Sequence, residues 1–565
     1  MQVLTFVLLA FCFSQVAVAD DCKVGPSAGT ILPVDRKTQT TPMGLPPSKL
    51  RAKLFDDFKA TVERLDGDGL LPRIGRAETW SQTTAALRKE FVKAKDLFEL
   101  GQILKRFDQT YTNLHAHLVV APELDYSSKE GRMKPAVSFY PEVVNEGQKN
   151  FRYLASNVNK ALFLNMDPKD RPEVGDEVVA INGKPMQLWS KENLIYCKYT
   201  MREQCEIDFW DTFRKELRAW NRRMPLRYTL KRQNRKWTVA VPISGPSSQA
   251  NTPEKSLPCE TDPQVYHPFV LVYEGHHACA YEDKARPGVV VLRIKSFAYK
   301  KDHPKIKGIS EETQLFWDSY WKVRAPKTKK LIVDVSDNGG GDSVVSWYKL
   351  FFTAPFQEQY AQFRNIEELK RPEFRSALFY DEPAKEIFYQ SLAKDGSLQK
   401  LTSKDFLPPV PQFCAAENKD CREELFTPIE HKFKGDVRIV LNQWCHSSCV
   451  GFVWNMKNVL KDRVKFVGQP DDGDSTYGRV LVAATLNSNS AKGFDLQIVP
   501  RRSGQRAEAT GGILFEQAVS VTRSADKNGK IVSGTPQKVD LWIPFKWNKD
   551  WSTWQSEAVL KSAEL

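Results

Sequence analysis

Apolar residues recur along residues 46–110: Leu50, Leu54, Phe58, Val62 and Leu65 at intervals of three and four, then Leu87, Phe91, Ala94, Phe98 and Leu104 in a similar pattern. That spacing puts each set on one stripe, so both stretches predict amphipathic helices that bury one face. Between them, Asp66-Gly67-Asp68-Gly69 is similar to part of a calcium loop but lacks the remaining ligand positions, and reads as a turn. From about residue 135 the period shortens. Val178-Val179-Ala180-Ile181 followed by Asn182-Gly183 predicts a strand entering a tight hairpin turn. Residues 190–224 return to a helical pattern, and 227–243 predict a second hairpin turning near Gln233-Asn234-Arg235. Ser, Pro, Thr and Asn then crowd residues 244–268, the composition of a linker. Beyond it, apolar β-branched runs at 289–294 and 331–335 flank a helical stretch at 312–323. A further run at 437–441 precedes a helical stretch at 452–460. Strands alternating with helices predict an α/β domain.

The first residues differ from all of this. An apolar run over residues 3–18 ends in Ala17-Val18-Ala19, followed by Asp20-Asp21. A short apolar core before small residues reads as a secretory signal peptide, residues 1–19, although no Lys or Arg precedes the core. A spanning helix needs about 20 apolar residues, so the sequence predicts no stable membrane span and a secreted or periplasmic destination. Cleavage after Ala19 leaves Cys22 third, not first, which argues against a lipid anchor. An oxidising compartment permits disulfides. The neighbour pairs are Cys197/Cys205, Cys259/Cys279, Cys414/Cys421 and Cys445/Cys449, with connectivity open. Without a Cys-x-x-Cys or His-x-x-x-His cluster, no metal site is expected.

At 565 residues the chain has room for roughly three or four domains of about 150 residues. Its 41% hydrophobic and 27% charged residues are those of a globular protein. The net charge of +13 would suit an anionic partner, but the basic residues are scattered and no nucleic-acid motif occurs. Nucleic acid is therefore not an expected partner.

Candidate chemistry sits at two strand ends. Asp337-Asn338-Gly339-Gly340-Gly341-Asp342-Ser343 follows the 331–335 strand, and three glycines allow a tight turn whose N–H groups can hold a developing oxyanion. A phosphate loop would end in Lys-Ser/Thr, which is missing; a plain glycine turn is the simpler alternative. Cys445-His446-Ser447-Ser448-Cys449 joins the 437–441 strand to the next helix. A serine there suits a nucleophile, and a helix N-cap equally.

Together these segments resemble the C-terminal processing (tail-specific) serine peptidase family. The residues that carry the likeness are 334–341, 437–449, and Val467-Gly468-Gln469-Pro470-Asp471-Asp472-Gly473, in that order. Residues 174–185 precede them and resemble the GDxIxxINGxxV signature of PDZ domains. The family's serine–lysine members carry a lysine about two dozen residues after the serine, whereas no lysine occurs here between Lys465 and Lys492. Asn113-Leu114-His115-Ala116-His117 before the PDZ-like segment and the pair Ser448-Cys449 are similar to the Ser-His-Glu branch, which includes the chlamydial protease-like activity factor.

The resemblance implies Ser448 as nucleophile, with Ser447 as its competitor, and His115 as base in preference to His117. His446 is too near the serines in sequence to point back at them readily. N–H groups at Gly340 and Cys449 would hold the oxyanion. The third member would be Glu516, in Gly511-Gly512-Ile513-Leu514-Phe515-Glu516, with Asp526 as the alternative. The implied fold is α/β: an N-terminal helical region (20–134), a PDZ-like domain with a helical insertion (135–243), a linker (244–280) and a crotonase/ClpP-like protease core (281–565). The implied activity is that of an exported serine endopeptidase acting on protein or peptide substrates, without metal or organic cofactor, as a monomer or homodimer. A non-catalytic peptide-binding protein or a PDZ-like scaffold of the same fold is the alternative.

Overall fold

The β-branched runs at 289–294 and 331–335 end up side by side. In the computed structural model, Val289–Ile294, Lys330–Asp334, Asp436–Leu441, Val464–Gly468 and Leu541–Trp542 pair in parallel in that order, with Val290 opposite Leu331 and Leu292 opposite Val333. Alternate residues of a strand face opposite sides. Leu331, Val333, Val437, Ile439 and Leu441 enter one core with Trp347, Phe351 and Phe452. Ile332, Val440 and Val467 enter a second with Trp554 and Val559 of the Trp551–Glu564 helix. Both faces are covered, which is why these strands read as continuous apolar runs. An antiparallel hairpin, Val270–Glu274 and Ala278–Glu282, extends the sheet at one edge. It corrects the expected linker at 244–280: the apolar run Val270-Leu271-Val272 forms a strand, hidden in sequence by the Ser- and Pro-rich stretch before it. The expected helix at 312–323 is present as Glu311–Phe316, a π turn at Trp317–Trp321, and Lys322–Arg324.

The described residues are 44–67, 80–111, 113–116, 118–120, 134–221, 226–244, 266–298, 311–341, 344–354, 356, 359–374, 389–390, 393–411, 427–429, 433–474, 480–486, 492–500, 513–547 and 551–565. The expected signal peptide, Cys22, Asp68, Gly69, His117, most of the 244–268 stretch, Cys259, Cys414 and Cys421 lie outside them. Among the described residues no helix is long and apolar enough to cross a membrane.

The N-terminal periodicity resolves into three helices, Ser48–Leu65, Trp80–Lys93 and Leu97–Thr110. The Asp96 side chain caps the third by accepting the Glu99 N–H at 2.7 Å. Their apolar stripes do not close on one another alone. Phe58, Leu104 and Phe107 share a core with Val480, Val482, Leu514 and Phe515 of an antiparallel sheet ordered Leu118–Val120, Ile513–Val519, Val480–Leu486, Phe494–Pro500. Phe58 and Phe515 meet edge to face at 4.8 Å. The short Leu118–Val120 strand is thus held by a strand almost four hundred residues further on, Val119 opposite Glu516.

The intervening unit is a separate antiparallel sheet of Val137–Pro141, Tyr153–Val158, Glu177–Ile181, Arg227–Arg232 and Arg235–Ala240 around Phe139, Tyr153, Phe209, Trp210 and Tyr228. Asn182 and Gly183 both take positive φ (49° and 77°), as a two-residue hairpin requires, and Gln233 (φ 53°) turns the second hairpin. The helical insertion comprises Met186–Ile195 and Arg202–Asn221, joined by a loop that the Cys197–Cys205 disulfide closes.

Candidate active site

The Asp436–Leu441 strand leads to Ser447, and the helix Ser448–Leu460 starts one residue later. Ser447 has φ 60°, ψ −129°. A β-carbon in this region is strained by on the order of 1–3 kcal/mol, and such strain persists only where surroundings enforce it. Here they do. The Ser447 N–H donates to the Asp474 carbonyl at 2.6 Å, its own carbonyl accepts the Val450 N–H at 3.0 Å, and the Cys445–Cys449 disulfide closes the turn around it. The Ser447 Oγ is buried and has no hydrogen-bond partner among the described residues. Sequence reasoning favoured Ser448, yet the sharp strand-to-helix elbow falls on Ser447, and Ser448 is the first helical residue. The Cys445–Cys449 pair marks the elbow in the sequence, since Ser447 is its midpoint.

The glycine turn lies directly against this elbow. Gly340 has φ 88°, and a Cβ on it would lie 2.7 Å from Ser447 Cβ, 2.8 Å from Ser448 N and 2.9 Å from the His446 carbonyl. Only glycine fits. Asn338 organises the turn: its Nδ2 donates to the Ile294 carbonyl (3.0 Å), its Oδ1 accepts the Gly340 N–H (2.8 Å), and its carbonyl accepts the His446 N–H (3.3 Å). Asp337 and Asn442 exchange two hydrogen bonds, 3.0 and 2.7 Å, locking the two strand ends together. Both expected oxyanion donors are engaged within the chain, Gly340 N–H with Asn338 and Cys449 N–H with the His446 carbonyl at 3.1 Å. The amide packed against Gly340 is that of Ser448.

His115 reaches the same place because the strand after it pairs with Ile513–Val519. Asn113 Oδ1 accepts the His115 and Ala116 N–H groups (2.8 and 3.1 Å), shaping the turn. The His115 Nδ1 lies 3.1 Å from Asp474 Oδ2, which also accepts the Leu114 N–H at 2.7 Å. His115 and Asp474 are both buried. Asp474 is thus a carboxylate against His115 that the sequence reading, which named Glu516 or Asp526, did not consider. Glu516 sits on the neighbouring strand opposite Val119, and Asp526 closes a local turn by accepting the Asn528 and Lys530 N–H groups (2.8 and 2.9 Å). Asp474 follows directly on the quoted Gly468–Gly473 segment. Reading that segment for a lysine overlooked the acid beside it.

Three buried titratable groups surround this pair. Burial, reinforced by His115, pushes His446 down to about 4, so its imidazole is neutral. Its ring lies 5.9 Å from that of His115, edge to face, and its Nδ1 is 3.1 Å from the Trp444 carbonyl. Burial pushes Asp471 up to about 7, and burial with the Asp474 charge raises Asp472 well above the usual carboxylate range.

No family model matches the chain, and no curated protein matches it in sequence. Solved structures do match in fold. Mature CPAF aligns at a TM-score of 0.51 and a serine-to-alanine mutant of CPAF at 0.53, each 13% identical and covering 91% of this chain and 96% of that one. A mature CPAF structure complexed with lactacystin aligns at 0.49, with 13% identity and 91% and 98% coverage. The likeness is one of fold, an α/β architecture shared over about nine-tenths of both chains.

Proposed function

We propose that the chain is an exported serine endopeptidase whose nucleophile is Ser447, whose base is His115 and whose orienting acid is Asp474. The observation that carries this reading is the double role of Asp474: its carboxylate flanks His115 Nδ1 while its carbonyl holds the Ser447 amide. In the proposed reaction Ser447 Oγ attacks the scissile carbonyl carbon and its proton passes to His115. The carbonyl π pair moves onto oxygen, where the Ser448 N–H and the start of the Ser448–Leu460 helix stabilise the charge. Collapse of the adduct expels the amine, which takes the proton from His115. Water then repeats the sequence on the acyl-serine. Asp474 keeps the imidazole in one tautomer and orientation.

The shared CPAF fold supports a peptidase core of crotonase/ClpP type at 281–565. The hairpin at Asn182-Gly183 supports a PDZ-like reading of 135–243, which would hold substrate as an added strand. Disulfides support export.

Labelling with a fluorophosphonate probe, followed by mass-spectrometric mapping, tests the reading. A single adduct on Ser447, absent from Ser447→Ala, is the expected result. Peptide binding without any adduct would instead make the chain a non-catalytic binder.

A further inference from the structure

One loop of the small sheet unit reaches the segments that carry His115 and Asp474. It spans residues 196–201, between the Met186–Ile195 and Arg202–Asn221 helices, and the Cys197–Cys205 bridge closes it. Lys198 Nζ donates to the Ala116 carbonyl, one residue after His115, and forms an ion pair with Asp108 at 2.9 Å. Thr200 Oγ1 donates to the Asp472 carbonyl at 2.7 Å. Gln204 Nε2 donates to the Asp471 carbonyl at 2.8 Å and to that of Pro470 at 3.1 Å. Thr200 and Gln204 are buried. Apart from Asp108, every acceptor is a main-chain carbonyl of a segment without regular structure. Such carbonyls need partners from elsewhere in the fold when buried. The small unit therefore supplies the hydrogen bonds that fix the backbone on both sides of the His115–Asp474 contact.

We infer that Lys198, Thr200 and Gln204 are positioning residues for the proposed hydrolysis, and that the disulfide-closed loop makes competence of the site depend on the small unit being docked. The inference rests on the serine peptidase reading. It separates two roles for the small unit: holding substrate, which acts on KM, and setting the geometry of His115 and Asp474, which acts on kcat.

Thr200→Val removes the hydroxyl at nearly constant shape, and Thr200→Ser restores it. In the full chain, Thr200→Val is expected to lower kcat on a short peptide at least tenfold, with KM changed less than threefold. Thr200→Ser should return kcat to within threefold of the parent. A second readout does not need turnover: the Cε1–H resonance of His115 in histidine-labelled protein, assigned by its loss in His115→Ala. Thr200→Val should shift it and Thr200→Ser should not. Unchanged kcat and an unchanged resonance in Thr200→Val would overturn the inference, as would a rise in KM alone. If the parent chain hydrolyses nothing and takes no probe, the peptidase reading fails, and the resonance still decides whether Thr200 positions His115. Should Thr200→Val not fold, Gln204→Met is measured in the same way.

Discussion

The Ser447 amide donates to the Asp474 carbonyl at 2.6 Å, so the elbow and the acid are fixed to each other through main-chain atoms before either side chain acts. A substitution at Asp474 that keeps the backbone leaves this bond in place. Effects of the carboxylate can therefore be read separately from effects on the elbow.

Ser447→Ala should lower kcat by about four orders of magnitude, and Ser448→Ala by less than about tenfold, the ordinary contrast between a nucleophile and its neighbour. Steady-state hydrolysis by both variants, with unfolding midpoints alongside, decides the register. The opposite pattern would return the nucleophile to Ser448.

Asp474→Asn removes the charge beside His115 Nδ1 and can favour the wrong tautomer. A loss of about three to four orders of magnitude in kcat is expected, with KM little changed. Glu516→Gln, on the strand opposite Val119, should change kcat by less than about tenfold. A severe Glu516→Gln with a mild Asp474→Asn would exchange their roles.

Gly340→Ala asks for a Cβ 2.7 Å from that of Ser447, at φ 88°. Neither the elbow nor the Asn338 turn can move aside without breaking hydrogen bonds. The expected result is a loss of about 2–4 kcal/mol in unfolding free energy, together with slower probe labelling at temperatures where the variant remains folded. Denaturant melts and labelling rates check the two parts.

Asp471 carries a pH signature. Its carboxyl is pushed up to about 7 by burial, against about 3.9 for an unfolded chain. The folded state thus holds this proton more tightly. The stability it contributes is complete below about pH 4 and is lost as pH rises through about 7. His446, pushed down to about 4, acts with the opposite sign, since acidification below about pH 6.5 protonates it more readily in the unfolded chain. Asp471→Asn leaves His446 in place and isolates the first contribution. The unfolding free energy of the variant minus that of the parent should rise between about pH 4 and 7, by on the order of a few kcal/mol, then level off. A flat difference would mean that Asp471 is charged when folded.

Much of this architecture was legible because its signals are local. The short β-branched runs around Val333 and Ile439 favoured strands covered on both faces. Asn182-Gly183 demanded a hairpin, and the 3.6-residue stripe of Phe58 and Val62 demanded a buried face. The edge strand at Val270–Glu274 was missed because composition was averaged across a boundary. The site was legible in part. The His115 segment and the Gly340 turn, which the fold brings to the same region, stand out among their neighbouring residues. The proposed nucleophile lies one residue before the serine that the sequence favours, because Ser447 and Ser448 differ in backbone conformation, which the letters do not carry. Asp474 was missed because its pairing with His115 spans 359 residues. No periodicity reports such a contact.

The pairing of Leu118–Val120 with Ile513–Val519 also governs when the site can exist. The histidine segment emerges from the ribosome first, the elbow and Asp474 emerge several hundred residues later, and the strand that anchors the histidine segment comes after both. A growing chain cannot pair Leu118–Val120 with its partner strand until residues 515–517 have been made. A nascent or prematurely terminated product lacking residues beyond about 510 carries Ser447, His115 and Asp474 but not the strand that pairs with Leu118–Val120. The order of the segments along the polypeptide thus postpones anchoring of the histidine segment until after the elbow and Asp474 have been made.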